Sequence, residues 1–144
     1  MPPSGASPPL GARTPAGAVV ELLPLAQEIC GRYRAEFPDE SERYGHAGEA
    51  WCLHDNQYLL AWAIDDTRDG SVDLVEQVLW LRDILDHRGF PVDRLARDLE
   101  IAGAVVAEVM VENHFARAVA DRLEDGATAV RAGPPTTARS GDRL

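Results

Sequence analysis

Apolar residues recur at helical intervals through the middle of the chain, from about residue 18 to residue 126. The strict alternation of apolar and polar residues that is typical of hairpins is missing. We therefore predict one all-α domain, a compact bundle of about four helices with a long C-terminal helix. Residues 1–17 and 127–144 are rich in small residues and proline, and both are predicted to be disordered tails.

Four helical segments account for the apolar pattern. They are predicted at residues 19–36 or 24–36, 47–64, 73–87 and 91–124. The second is apolar on two faces, which indicates a central position in the bundle. The third begins with Asp73 and carries Glu76 three residues later, a spacing typical of a capping box.

The fourth predicted helix is the longest, because no proline interrupts the chain between residues 91 and 124. Its apolar positions follow a repeat of four and three residues that is broken in polarity only by Asn113, as in a coiled coil or a long bundle seam. A homodimer through this helix is predicted, with contacts from Leu95, Leu99, Val106, Val109 and Asn113. The alternatives are packing inside a four-helix bundle and an Asn113 that faces solvent.

The charge limits the possible partners. Lys and Arg number 14 against 24 Asp and Glu, a formal net charge of -10, which repels nucleic acid. The N-terminus carries no apolar signal core, and no apolar run approaches the ~18 residues that span a bilayer. We therefore expect a cytoplasmic protein that binds neither nucleic acid nor membrane.

The two cysteines, Cys30 and Cys52, lie in separate predicted helices. Two cysteines are too few to indicate the disulfide framework of a small secreted domain. They are predicted to be buried free thiols.

The clearest candidate chemistry is the acidic stretch DDTRDGSVDLVE at residues 65–76. Side chains with oxygen atoms alternate on either side of Gly70, between two predicted helices. Over about a quarter of the chain, this stretch with its flanking helices resembles an EF-hand. The resemblance implies one Ca²⁺ ion bound by Asp65, Thr67, Asp69, the carbonyl of Ser71, Asp73 through a water, and both carboxylate oxygens of Glu76.

The stretch departs from the family in three respects. Thr67 stands where Asp or Asn is usual, and Ala61 stands where the incoming helix usually carries an aromatic residue. No second loop fits around Gly45 or Gly126 to pair with the first. The alternative is a plain turn, in which Asp69 and Gly70 form the bend and Ser71 or Asp73 caps the next helix.

The remaining residues with functional chemistry follow no motif. His46, His54, His87 and His114 lack metal-binding spacing. A hydrogen bond to Asp55 is predicted for His54, and a position at a helix C-terminus for His87. Trp51, Trp62 and Trp80 are predicted core residues, with a ligand pocket as the alternative. No nucleophile motif is present, so we do not expect an enzyme.

Three functions are consistent with these observations. The first is a calcium-binding helical protein, regulatory or structural. The second is a metal-free module that dimerises or docks a protein partner through helix four. The third is a helical sensor domain that binds a ligand or haem.

Overall fold

A computed structural model describes residues 7–110 and 113–133 of the chain. These residues form two short strands and five helices: β1 (Gly11–Arg13), β2 (Val19–Glu21), α1 (Leu22–Glu36), α2 (Asp39–Asp69), α3 (Leu74–His87), α4 (Val92–Val109) and α5 (Asn113–Ala132). The all-α prediction is confirmed in its broad form, with five helices in place of about four. No helix in the described ranges is both long enough and apolar enough to cross a membrane.

Helix α2 is the central element, as its two apolar faces predict. It packs against α1, α3, α4, α5 and β1. Its buried apolar residues are Leu59, Leu60, Ala61, Ala63 and Ile64. Because neighbours cover it on several sides, residues of α2 that face α1 and α4 are withdrawn from solvent even where they are polar.

The long fourth helix predicted at residues 91–124 is wrong. Helix α4 ends at Val109 and α5 begins at Asn113, and the contact between them is the most extensive in the fold. They run antiparallel, since Gly103 lies beside the Ala120 carbonyl and Gly126 beside Leu99. The apolar repeat is therefore buried between two helices of the same chain.

The packing of α5 on α4 buries most of the residues that were predicted to form a homodimer contact. Leu95, Leu99 and Val106 are buried in the core of the monomer, whereas Val109 is exposed. Asn113 lies in the first turn of α5. The homodimer stays a prediction, but a dimer contact through this helix now has Val109 as its exposed apolar residue.

The two predicted tails contain regular structure. Strand β1 pairs antiparallel with β2, with Ala12 opposite Val20, and Ala12 is buried. Strands of three residues, with one apolar side chain turned inward, leave no alternating pattern to detect. At the other end α5 continues to Ala132 with Val130 buried, and residues 1–6 and 134–144 lie outside the described residues.

The prediction of free thiols is also wrong, because Cys30 of α1 and Cys52 of α2 form a disulfide. Their separation of 22 residues closes a loop whose lost chain entropy is worth about 3 kcal/mol of stability in the loop-closure model. Sequence spacing did not reveal this pairing, because it depends on how α1 and α2 cross.

Candidate functional site

One face of α2 carries the side chains that define a pocket. Its members recur at steps of three and one, which places them in a single row along the helix. They are Gly48, Trp51, Cys52, Asp55, Asn56 and Leu59. The row combines an aromatic ring, a carboxylate and an amide with apolar residues.

The pocket has a volume of about 290 Å³, at the lower end of the range of small-molecule sites. Other elements complete its wall: Tyr33 from α1, Glu40 and Tyr44 from the start of α2, Leu85, Arg88 and Phe90 from the end of α3 and the turn after it, and Arg94, Leu95 and Asp98 from α4. Four helices thus meet around one concave site.

Two glycines bring the start of α2 over the pocket. Gly45 has φ 58° and ψ -143°, a left-handed conformation that a side chain disfavours, and it kinks the helix. At Gly48 an added Cβ would clash with the Cβ of Tyr44. The kink and the close approach together place Glu40 and Tyr44 on the pocket wall.

The floor of the pocket is a buried polar pair. Asn56 is 1% exposed and Asp98 is 7% exposed, and Asn56 Nδ2 donates to Asp98 Oδ1 at 3.1 Å. The same amide nitrogen donates to the Cys52 carbonyl at 3.0 Å. Asn56 Oδ1 is buried and has no hydrogen-bond partner among the described residues, which is costly unless something satisfies it.

Burial makes Asp98 an unusual carboxyl group. Loss of hydration raises its pKa to about 7, the hydrogen bond from Asn56 lowers it, and the charges of Asp55 and Glu40 raise it. Burial also raises the pKa of Asp55. Burial therefore disfavours the charged form of both carboxyl groups, and Asp98 is partly neutral under mildly acidic conditions.

Glu40, the third carboxylate of the lining, is already balanced by charge. Arg94 donates to Glu40 at 2.9 Å and to Asp39 at 2.9 Å, and the guanidinium carbon lies 4.4 Å from the centre of the Phe37 ring. Tyr33 donates its hydroxyl to Glu40 at 2.7 Å. This network fixes the wall of the pocket. Asp55 and Asp98 are the lining carboxyl groups that form no ion pair with an arginine among the described residues.

Sequence reasoning missed Asn56 and Asp98. A signal was present, since Asp98 stands three residues after Leu95 and four before Ala102, on the apolar side of α4. A charged residue within such a stripe indicates either a partner or a function. Its partner on α2 is 42 residues away in the chain, so the pair appears only after folding.

The acidic stretch at residues 65–76 is only partly a loop. Helix α2 continues through Asp69 and ends at Gly70, which has φ 70°, so the predicted helix end at residue 64 is wrong. Thr67 donates to the Ala63 carbonyl at 2.7 Å within the helix. Arg68 makes ion pairs of 3.1 Å with both Asp65 and Asp69.

The rest of the acidic stretch caps helix α3. Asp73 accepts from the Glu76 backbone N–H at 3.1 Å, which confirms the predicted cap. Asp69 accepts from the Ser71 N–H at 3.0 Å, and Asp66 from the Leu74 N–H at 2.8 Å. Within the described ranges, no three Asp, Glu, His or Cys residues are grouped as metal ligands, and Ca²⁺ binding stays a prediction.

Two of the tryptophans depart from the predicted core. Trp51 is 44% exposed and Trp80 is 51% exposed, while Trp62 packs against the core. Trp51 lines the pocket, in agreement with the alternative prediction that the tryptophans line a ligand pocket. It stands at the rim, where an aromatic face is open to a ligand.

The histidine predictions are confirmed for two residues. His54 Nδ1 lies 3.3 Å from Asp55 Oδ1, and His87 is the last residue of α3, with Nδ1 2.7 Å from the Asp83 carbonyl. His46 and His114 are exposed. His54 contacts a residue of the pocket wall, Asp55.

Comparison with known proteins supplies no assignment. A scan against protein-family models found no match, and searches of curated proteins and of solved structures found none either. The function is therefore inferred from the geometry of the pocket.

We predict that Asp98→Asn changes how stability depends on pH. With the folded pKa of Asp98 at about 7 and the unfolded value near ~3.9, the folded parent keeps a proton between these pH values that the unfolded chain loses. Parent stability therefore falls as pH rises through this window, by at most about 1.4 kcal/mol per pH unit for this group. Urea unfolding measured between about pH 5 and about pH 8 should show the free energy of unfolding of the variant rising relative to that of the parent up to about pH 7. A constant difference at every pH would contradict the assignment.

The calcium hypothesis predicts about one bound Ca²⁺ per chain. Titration calorimetry of the chelator-treated protein measures it directly, with Mg²⁺ as the comparison ion. Glu76→Gln should abolish the heat of binding if the stretch holds the ion, because it removes the bidentate carboxylate. Equal heats for the parent and the variant would exclude these ligands.

Proposed function

We propose that the protein binds a small organic molecule in the pocket between α1, α2, α3 and α4. The observation that carries this proposal is the buried Asn56–Asp98 pair on the floor of the pocket. A buried polar pair costs stability unless its hydrogen bonds are satisfied, and Asn56 Oδ1, which has no partner among the described residues, can accept from a ligand. The proposal is the ligand-binding form of the third function considered from the sequence.

The chemistry of the pocket wall supports the same proposal. Ligand sites combine apolar and aromatic walls with a few polar groups that orient the ligand. Here Leu59, Leu85, Leu95 and Phe90 supply apolar surface, and Trp51 supplies an open ring at the rim. Carboxyl groups with raised pKa values in a concave site are a further mark of function.

A screen of small organic fragments by saturation-transfer NMR tests the proposal. We expect binders whose signal disappears in Leu85→Trp, because the larger ring occupies the pocket. Asp83→Trp is the matched control, since it adds the same ring to an exposed position of α3. A screen without binders, or with binders that both variants retain equally, would overturn the proposal.

A cytoplasmic location remains part of the proposal and bears on the disulfide. The cytosol keeps most thiols reduced, so we propose that the Cys30–Cys52 disulfide of the structure is the oxidised form of a pair that is reduced in that compartment. Because Cys30 is buried, the host cells are quenched with acid and the protein is alkylated in denaturant; mass spectrometry should then find both cysteines modified. If neither is modified, the protein resides in an oxidising compartment.

A further inference from the structure

The polar groups on the pocket floor offer acceptors to a ligand. Asn56 Nδ2 is occupied by Asp98 and by the Cys52 carbonyl, and the Tyr33 hydroxyl is occupied by Glu40. By contrast, Asn56 Oδ1 has no partner within the described part of the chain, and ionised carboxylates only accept. A ligand that satisfies this floor has to bring hydrogen-bond donors.

The balance of charge points to the same class of ligand. Arg94 is committed to Asp39 and Glu40, and Asp98 makes no ion pair among the described residues. Asp55 has only the His54 ring within ion-pair distance in that part of the chain. Arg88 stands at the rim and is exposed. Arg88 lowers the pKa of Asp55 by its charge alone, and no arginine of the described residues lies within ion-pair distance of either acid. A cation beside the buried Asp98 and the partly buried Asp55 would offset their charge.

The walls define the rest of the ligand. Phe90, Leu59 and Leu85 form apolar surface next to the acidic floor, and Trp51 presents its ring at the rim. Aromatic rings attract both apolar groups and organic cations. A volume of about 290 Å³ limits the ligand to a small molecule.

We propose that the ligand is a small organic cation, a protonated amine on an apolar or aromatic body, whose ammonium group donates to Asp98 and Asn56. This inference rests on the ligand-binding function proposed above. It goes further by naming the chemical class and the end of the ligand that enters first. The apolar body lies against Phe90 and Leu85 and extends toward Trp51.

Three probes of similar size test the inference: 2-phenylethylammonium, 2-phenylethanol and 3-phenylpropionate. Their dissociation constants are measured at one mildly alkaline pH by ¹H–¹⁵N NMR titration of the full chain, with the Asn56 side-chain amide as a reporter. A charge-assisted hydrogen bond predicts that the amine binds at least about tenfold more tightly than the alcohol. The carboxylate is expected to bind most weakly.

Two variants test whether Asp98 causes the preference for the amine over the alcohol. Asp98→Asn keeps the shape of the side chain and removes its charge, so it should weaken amine binding at least about tenfold and leave alcohol binding nearly unchanged. Asp93→Asn removes a charge from an exposed position of the same helix and should change neither. The comparison of the three probes on the parent chain decides the inference even if Asp98→Asn fails to fold.

The outcomes distinguish a failure of the cation assignment from a failure of the proposed function. Equal binding of all three probes in the pocket would overturn the choice of a cation and leave the ligand-binding function in place. Tightest binding of the carboxylate would also overturn it and would assign the site to Arg88 and Arg94. Absence of binding by every probe would overturn the inference, and together with an empty fragment screen it would overturn the proposed function.

Discussion

The fold depends on the burial of one apolar stripe between α4 and α5. Its buried residues are Leu95, Leu99, Ala102, Val106, Ala116, Ala120 and Leu123. Because α5 packs antiparallel against α4, the two halves of the stripe face each other and form the most extensive contact between elements of the described residues. The helices approach closely at Gly103, where an added Cβ would lie 3.4 Å from the Ala120 carbonyl oxygen, about van der Waals contact. With α5 covering one side of α4, the remaining side faces α1 and α2, and this orientation carries Asp98 into the interior.

A polar pair at this position is a cost that apolar packing has to offset. An acid that loses its hydration is destabilised in its charged form, and the single hydrogen bond from Asn56 compensates only in part. Replacement of such a pair with apolar residues is often neutral or stabilising in other proteins. Under the proposed function, the pair would supply polar contacts to a ligand at some expense of stability.

The disulfide and the polar pair are neighbours. Asn56 Nδ2 lies 3.6 Å from Cys30 Sγ and 3.5 Å from Cys52 Sγ, so the cross-link between α1 and α2 adjoins the floor of the pocket. Cys52 is also part of the pocket lining. The relative position of α1 and α2, and with it the distance from Tyr33 to Glu40, is held both by the cross-link and by core packing.

The sequence by itself determined the helical class, the central position of α2, the end of α1 at Glu36 and the Asp73 cap of α3. Each of these depends on periodicity or on hydrogen bonds between residues close in the chain, which local sequence specifies. It also placed Trp51, Asp55 and Asn56 on one face of α2 through their spacing, although that face was not recognised as a site.

Tertiary structure alone decided the turn after Val109, the Cys30–Cys52 cross-link, the β1–β2 hairpin and the pairing of Asn56 with Asp98. No local signal marks the end of α4, because the residues on both sides favour a helix. The helix ends because packing α5 on α4 stabilises the fold. The cross-link and the polar pair join residues 22 and 42 positions apart. Whether such residues meet depends on how the helices pack against one another, which periodicity along the chain does not specify.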